Sequence, residues 1–185
     1  MENKDLLRLS KFISLILRHK PDVIGIELDT YGWANVDDLI NGINKTRYID
    51  FQTLEKIVSE DSKQRYSFND DKTKIRANQG HSIKVDLELE PIEPPEMLYH
   101  GTGSKSVRYI DEDGIKPQSR MYVHLSDSFE LAKSVGARHG KAVVYRVLTS
   151  KMYNAGYKFY RSKNGVWLTD FIPVDYIQKT WGFSV

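Results

Sequence analysis

The sequence contains no cysteine, which excludes disulfide bonds and thiolate metal sites. It also lacks histidines at His-x-His or His-Glu-x-x-His spacing, so we expect no structural metal. No stretch approaches the roughly 18 uninterrupted apolar residues of a membrane helix. The N-terminal residues lack the compact apolar core of a signal peptide. These absences predict a cytoplasmic protein with no membrane segment.

A large excess of one charge sign is also absent, since the 185 residues carry a net charge of +2. Residues 1–90 contain 14 Lys and Arg against 16 Asp and Glu, a net charge of −2, and residues 91–185 contain 13 against 9, a net charge of +4. A protein that holds nucleic acid mainly by neutralising phosphates is normally more basic. Any RNA contact is therefore expected to depend on a few placed cations.

Proline is scarce and unevenly placed, because three of the six prolines lie in the segment ELEPIEPPE, residues 88–96. This segment alternates proline with acidic residues and has no apolar periodicity, which marks a boundary. We therefore predict two domains, residues 1–90 and residues 91–185.

The two predicted domains differ in their local patterns. The first has an apolar helical repeat from Leu6 to Leu17 and further helices at 35–44 and 50–61, with Asn35 and Asp50 as their expected N-caps. Two short strands are predicted within 65–77. Three helices followed by a hairpin is the order of a winged helix. In the second domain, five short strands are predicted, at residues 97–102, 121–126, 142–147, 158–162 and 165–170. With only two helices between them, at 104–113 and 127–140, they favour an α+β lobe on a split antiparallel sheet.

Several short polar clusters could carry chemistry. In YHGTGS, a strand is predicted to run into a glycine-rich turn, with His100 at the strand end and Gly101 and Gly103 letting a ligand approach the backbone. The alternative is a tight turn with a solvent-facing histidine. In SRMYVHLS, strand alternation places Arg120 and His124 on one face, which suits an anionic ligand. The alternative there is an ordinary solvated sheet face.

In SLILRHKPD, an apolar helical run ends with Arg18 and His19 just before Pro21. Cations in a last helical turn complement the helix dipole, and this alternative also applies to Arg138 and His139 in ARHG. Such a short signal does not by itself distinguish a catalytic pair from a helix end.

Taken together, the motifs resemble the RNA 2′-phosphotransferases, which remove an internal 2′-phosphate from spliced tRNA with NAD as co-substrate. The resemblance is carried in order by LSKFISLILRHKPD, GWANVDDLI, RYSFNDDKTKIRANQGHS, LYHGT, SRMYVHLS, GARHGKAVVYRV and NGVWLTDFIPVDYI. It implies an N-terminal winged-helix lobe that binds RNA, joined to a C-terminal lobe of the ADP-ribosyltransferase fold, with the active site between them. It also implies two partners, NAD and a tRNA-like RNA bearing a 2′-phosphate. We expect a monomer.

The resemblance assigns catalytic roles to four residues, Arg18, His19, Arg65 and Arg120. The family's His-His-apolar NAD signature corresponds to His100, His124 and Val166. Further NAD contacts are expected from Gly101, Thr102, Ser126, Arg138, His139 and Gly140. Asn78 and Gln79, in the loop RANQGHS after the second wing strand, are expected to be available to RNA or to the interface between the lobes.

The implied reaction has two steps and yields 2′-hydroxyl RNA, nicotinamide and ADP-ribose 1″,2″-cyclic phosphate. Protein-modifying ADP-ribosyltransferases usually carry a glutamate in their third block, whereas NGVWLTD has none, and Glu130 is the last glutamate of the chain. A carboxylate there would repel an incoming phosphate dianion, so its absence suits a phosphate nucleophile.

Two other functions are compatible with parts of the sequence. An ADP-ribosyltransferase could stop after one step and leave ADP-ribose on a nucleic-acid phosphate end or on protein. A winged-helix DNA-binding regulator with a ligand-sensing lobe would explain the first ninety residues, but their net charge of −2 counts against it.

Overall fold

The computed structural model describes residues 3–180. The chain divides into two compact units, Met1–Glu88 (unit 1) and Leu89–Val185 (unit 2). Helices alternate with three small antiparallel sheets, so the fold class is α+β, as predicted. Within the described part of the chain, no helix combines the length and apolar character needed to cross a membrane.

Unit 1 contains three α-helices, a short 3-10 helix and one three-stranded sheet. In chain order its elements are α1 (Asn3–Arg18), the 3-10 helix Pro21–Ile24, β1 (Trp33–Asn35), α2 (Val36–Asn44), α3 (Phe51–Ser59), β2 (Tyr66–Phe68) and β3 (Lys74–Ala77). The strand order is β1-β3-β2, and both pairings are antiparallel. The three predicted helices and the predicted hairpin are therefore confirmed, and the three-residue strand β1 was missed.

Local side-chain signals explain these helices. The predicted caps are confirmed, because the Asn35 side chain accepts a hydrogen bond from Asp38 N (3.0 Å) and Asp50 accepts one from Thr53 N (2.8 Å). The apolar repeat of α1 is buried in the core of the unit, where Ile13 is fully enclosed. Burial of this face fixes the helix against the sheet and leaves its C-terminal residues at the end of a rigid element.

Unit 2 contains two three-stranded antiparallel sheets, β4-β6-β9 and β5-β8-β7. Its elements are β4 (Leu98–Gly103), α4 (Val107–Asp113), β5 (Val123–Leu125), α5 (Phe129–Gly136), the 3-10 helix Ala137–His139, β6 (Ala142–Val147), α6 (Thr149–Asn154), β7 (Tyr160–Arg161), β8 (Trp167–Thr169) and β9 (Ile177–Thr180), with short 3-10 helices at Ser104–Ser106 and Val174–Tyr176. Each of the five predicted strands overlaps an observed strand. Helix α6 and strand β9 were not predicted.

Among the described residues, a backbone bridge links the two sheets of unit 2. Tyr99 in β4 and Ser126, directly after β5, exchange both backbone hydrogen bonds at 2.8 Å each. In β5 the predicted alternation is confirmed, since Val123 and Leu125 are buried and His124 is only half-buried. Arg120 was predicted to share a strand face with His124, but it lies in the bend before the strand.

The predicted glycine-rich turn is wrong, because Gly101 and Gly103 lie inside β4. A Cβ atom on Gly101 would stand 1.7 Å from the carbonyl oxygen of Ala132 in α5, and one on Gly103 would stand 2.2 Å from that of His139. The two glycines therefore permit α5 and the following 3-10 helix to pack directly on the strand. Their lack of a side chain permits this packing. His100 therefore lies within the strand and not, as predicted, at its end.

Candidate active site

In unit 1, the first candidate pair closes helix α1. Arg18 is the last helical residue, and the amides of His19 and Lys20 both donate to Leu15 O, at 3.0 and 2.9 Å. This last turn is followed directly by Pro21, which opens the 3-10 helix. The pair is therefore held by a defined helix end.

The segment Gly80–Ser82 lies against this helix end. Ser82 N donates to Arg18 O at 3.0 Å, and Ser82 Oγ lies 2.9 Å from Nδ1 of His19. Gly80 has a φ of +89°, and a Cβ atom there would lie 3.5 Å from the Arg18 guanidinium. Backbone and side-chain contacts from one segment thus orient both residues of the pair. Ser82 was not among the predicted site residues.

His81 lies between Gly80 and Ser82 in the chain and is only 1% exposed. Burial, together with the positive charges of Arg18, His19 and Arg76, lowers the pKa of His81 to about 4. Among the residues that the structure describes, neither ring nitrogen of His81 has a hydrogen-bond partner. His81 is therefore neutral at pH 7, and its near-complete burial distinguishes it from the partly exposed His19.

Arg65 is anchored by a carboxylate four residues earlier. Asp61 accepts hydrogen bonds from Arg65 N at 2.6 Å and from Arg65 Nη1 at 2.5 Å. The Asp61 side chain is 5% exposed and that of Arg65 is 30% exposed. The guanidinium is thus held at one edge while part of it reaches the surface.

Asn78 holds the same segment from β3. Its backbone N–H donates to Arg65 O (2.8 Å), its Nδ2 donates to Gln64 O (2.6 Å), and its Oδ1 accepts a bond from Ser67 Oγ (2.9 Å). The residue is 5% exposed, and these bonds argue against a direct contact between its side chain and RNA. Gln79 is half-buried, and its contact with RNA stays a prediction.

In unit 2, two histidines and an arginine form a linked group. Nδ1 of His100 donates to His124 O at 3.1 Å, and Nη1 of Arg120 lies 3.3 Å from Nδ1 of His124. Because a carbonyl only accepts and a guanidinium only donates, these bonds fix the tautomer of each neutral imidazole ring. His100 carries its proton on Nδ1 and presents Nε2 as an acceptor, whereas His124 carries its proton on Nε2.

Electrostatics reinforce this arrangement. Burial lowers the pKa of His100, the charge of Arg120 lowers it further, and the bond to His124 O opposes the shift. Partial desolvation also lowers the pKa of Arg120, yet a guanidinium stays charged at any physiological pH. The group therefore combines one fixed cation with a neutral imidazole of defined tautomer.

The other candidate NAD residues occupy three places in unit 2. Thr102 is buried in β4, and Ser126 pairs with Tyr99. The 3-10 helix that carries Arg138 and His139 packs on Gly103, and Gly140 follows it with a φ of +115°. Val166 precedes β8 and donates its backbone N–H to Ser162 Oγ at 3.0 Å.

No group of three or more His, Asp or Glu residues that could hold a metal ion occurs in the part of the chain that the structure describes. The four candidate catalytic residues carry guanidinium or imidazole side chains.

Comparison with known proteins shows which family the chain belongs to. The family described as "RNA 2'-phosphotransferase, Tpt1 / KptA family" matches residues 4–171, which include every candidate site residue. The chain belongs to the RNA 2′-phosphotransferase family. Membership of this family confirms the resemblance found in the sequence motifs.

Individual relatives match over nearly their whole length. The chain is similar to a probable RNA 2′-phosphotransferase of Fusobacterium nucleatum, at 55% identity over 93% of this chain and 97% of the relative. A protein of the same description from Nostoc punctiforme is 52% identical over 97% of this chain and 99% of the relative. A third, from Flavobacterium johnsoniae, is 48% identical over 92% and 94%.

In this member of the RNA 2′-phosphotransferase family, three residues beside the candidate catalytic residues were not predicted from the sequence: Asp61, His81 and Ser82. The capping pattern of Asp61 was detectable, because an Asp shortly after a helix commonly accepts bonds from the next turn. The burial of His81 carries no comparable local signal.

Proposed function

We propose that this chain is an NAD-consuming RNA 2′-phosphotransferase, which removes an internal 2′-phosphate from RNA through an ADP-ribosylated phosphate intermediate. The observation that carries the proposal is the family match over residues 4–171, within which all four candidate catalytic residues lie. The anchoring of Arg65 by Asp61 adds physical support, because it prepares a cation for an anionic ligand.

In the proposed first step, the RNA 2′-phosphate attacks the NAD ribose carbon that bears nicotinamide. A new carbon–oxygen bond forms, the bond to nicotinamide breaks, and nicotinamide leaves with the bonding electrons. A phosphate monoester has a second pKa near ~6 and is mostly dianionic at neutral pH, so this nucleophile needs no base. The protein has to position it and to offset part of its charge.

The donor and acceptor set of unit 2 fits NAD as the co-substrate of this step. His100 Nε2 can accept a hydrogen bond and His124 Nε2 can donate one, which complements ribose hydroxyl groups. We assign Gly101, Thr102 and Ser126 to the same nicotinamide riboside region. Residues 138–140 are assigned to the adenylate part of NAD. Val166 is assigned as the apolar member of the His-His-apolar signature.

In the proposed second step, the ribose 2″-hydroxyl attacks phosphorus and the RNA 2′-oxygen leaves. Charge develops on phosphorus and its oxygens, and Arg18, Arg65 and Arg120 are assigned to stabilise it. The departing oxygen must gain a proton and the attacking hydroxyl must lose one. We assign proton transfer to His19, whose ring is oriented through the Nδ1 contact with Ser82 Oγ.

The architecture of each unit supports the finer fold assignment. Unit 1 has the order helix, strand, helix, helix and β-hairpin, which suits a winged-helix lobe. Unit 2 has two small antiparallel sheets linked at Tyr99 and Ser126, which suits a split ADP-ribosyltransferase-like lobe. We propose RNA binding for the first and NAD binding for the second.

A product assay tests the proposal. The protein is incubated with NAD and an oligonucleotide that carries one internal 2′-phosphate, and a matched oligonucleotide with a 2′-hydroxyl is the control. The expected products are 2′-hydroxyl RNA, nicotinamide and ADP-ribose 1″,2″-cyclic phosphate. Stable ADP-ribosylated RNA without the cyclic product would indicate a one-step ADP-ribosyltransferase. Absence of any NAD consumption would contradict both enzymatic functions.

A further inference from the structure

Asp61 lies two residues beyond the end of α3 and makes an unusual set of local contacts. Its buried carboxylate accepts bonds from Lys63 N (3.2 Å), Arg65 N (2.6 Å) and Arg65 Nη1 (2.5 Å). A buried carboxylate is stable only where donors and opposite charge replace water. Arg65 supplies both, so backbone and side chain of one residue are fixed by one carboxylate.

Asn78 completes the fixation from the neighbouring strand. It donates its backbone N–H to Arg65 O (2.8 Å) and its Nδ2 to Gln64 O (2.6 Å). Gln64 has a φ of +44°, in the left-handed region that costs free energy for any residue other than glycine. Two hydrogen bonds hold Gln64 in this conformation. One is the bond from Asn78 Nδ2 to Gln64 O, and the other runs from Gln64 N to Asp61 O at 2.8 Å.

We propose that Asp61 and Asn78 are positioning residues that aim the Arg65 guanidinium at the substrate phosphate, an inference that rests on the proposed function. A guanidinium has five N–H donors, so one bond to Asp61 leaves capacity for two parallel bonds to phosphate oxygens. The carboxylate also balances the charge of Arg65 before substrate binds. Pre-organisation of this kind lowers the cost of orienting a flexible side chain during the reaction.

The simpler explanation is a stable turn with no bearing on catalysis, and unit 1 contains a matched case. Asp29 accepts bonds from Tyr31 N (3.0 Å) and Trp33 N (2.9 Å) and pairs with Lys74 Nζ at 3.2 Å. This is the same combination of turn and ion pair, but its cation has no proposed catalytic role. Asp29→Asn therefore serves as the control for Asp61→Asn.

A kinetic double-mutant cycle separates positioning from folding. Wild type, Asp61→Asn, Arg65→Ala and the double variant are compared by single-turnover removal of the 2′-phosphate from an oligonucleotide at saturating NAD. Asp61→Asn should slow the wild-type background by about 10- to 100-fold, because small misplacements of a catalytic group have effects of that size. In the Arg65→Ala background, Asp61→Asn should lower the rate by less than roughly twofold, because the side chain that Asp61 positions is absent.

Asn78→Ala provides a second variant. It should also slow removal of the 2′-phosphate in the wild-type background and have little effect on the rate in the Arg65→Ala background. Thermal unfolding of every variant shows that it is folded, and Asp29→Asn should lower the melting temperature with no change in rate. An equal slowing by Asp61→Asn in both backgrounds, or no slowing in the wild-type background, would overturn the positioning role. A wild-type protein that forms no product would instead overturn the proposed function, and this inference with it.

Discussion

Unit 1 and unit 2 hold their candidate side chains through different kinds of partner. In unit 1, Arg65 is bound by a buried carboxylate and His19 lies against a serine hydroxyl, so each is fixed by its own surroundings. In unit 2, Arg120 and His124 are linked to each other, and His100 is tied to the backbone of His124. The candidate residues of unit 2 therefore depend on one another.

The difference matches the ligands that the two sets suit. Arg18 and Arg65 in unit 1 are permanent cations, which suit a phosphate dianion. His100 in unit 2 is held neutral by burial, and its tautomer suits an uncharged hydroxyl partner. Arg120 is the exception in unit 2, since it adds a cation beside the neutral rings. On this account unit 1 serves the phosphate and unit 2 serves NAD.

Among the changes that leave His19 intact, the largest expected effect comes from removal of an anchored cation in unit 1. Arg65→Ala should slow formation of 2′-hydroxyl RNA by about 10²–10³-fold, the usual cost of losing one charge-stabilising donor. Arg47→Ala is the control, because Arg47 packs over the Phe12 ring in the same unit and has no assigned role. Single-turnover assays measure both rates, and an unchanged rate for Arg65→Ala would remove Arg65 from the site.

The next effect concerns the buried histidine of unit 1 and is a change in stability with pH. The pKa of His81 falls from 6.5 in the unfolded chain to about 4 in the folded protein. Between these values the unfolded state binds more protons, so the free energy of unfolding should fall as pH drops from 6.5 towards 4. A shift of this size corresponds to about 3 kcal/mol in total.

Urea unfolding at pH 7, 5.5 and 4.5 checks this dependence on His81. His81→Leu should reduce the loss of stability at low pH, while a smaller loss of the same sign persists because the pKa of His100 is also lowered by burial. Identical pH profiles for wild type and His81→Leu would show that His81 does not titrate as proposed.

A change in unit 2 should affect NAD use in particular. His124→Ala removes the ring that is bound by Arg120, and we expect kcat/KM for NAD to fall about 10- to 100-fold, the equivalent of one or two lost hydrogen bonds. Release of nicotinamide and of 2′-hydroxyl RNA should decline together, without an intermediate. A variant that releases nicotinamide normally but stalls before the second product would place His124 in the phosphorus step instead.

The smallest effect tests the contact between Gly80 and Arg18. Gly80→Ala introduces a Cβ atom at a φ of +89° and 3.5 Å from the guanidinium, and the backbone strain alone should cost about 1–2 kcal/mol of stability. Gly25→Ala is the matched control, since its φ is +74° and the nearest atom is Lys45 Nζ at 3.7 Å. Both variants should lose similar stability, but only Gly80→Ala should slow product formation.

Local chemistry explains which features the sequence predicted. The capped helices of unit 1 were found because Asn35 and Asp50 bond within three residues of their own position. The role of Gly101 was misjudged, because its reason for being glycine is Ala132, 31 residues further along the chain. Likewise, the bond from Asn78 to Gln64 spans 14 residues and leaves no pattern in a single sequence.

His19→Ala, given NAD and labelled 2′-phosphorylated RNA, tests the division of labour between the units most directly. The dianionic phosphate attacks NAD without a proton acceptor, whereas the second step needs a proton relay, and loss of such a group typically costs ~10²–10⁴-fold. The account predicts that nicotinamide is released while ADP-ribosylated RNA accumulates, which wild type should barely show. A loss of nicotinamide release as severe as the loss of 2′-hydroxyl RNA would contradict it.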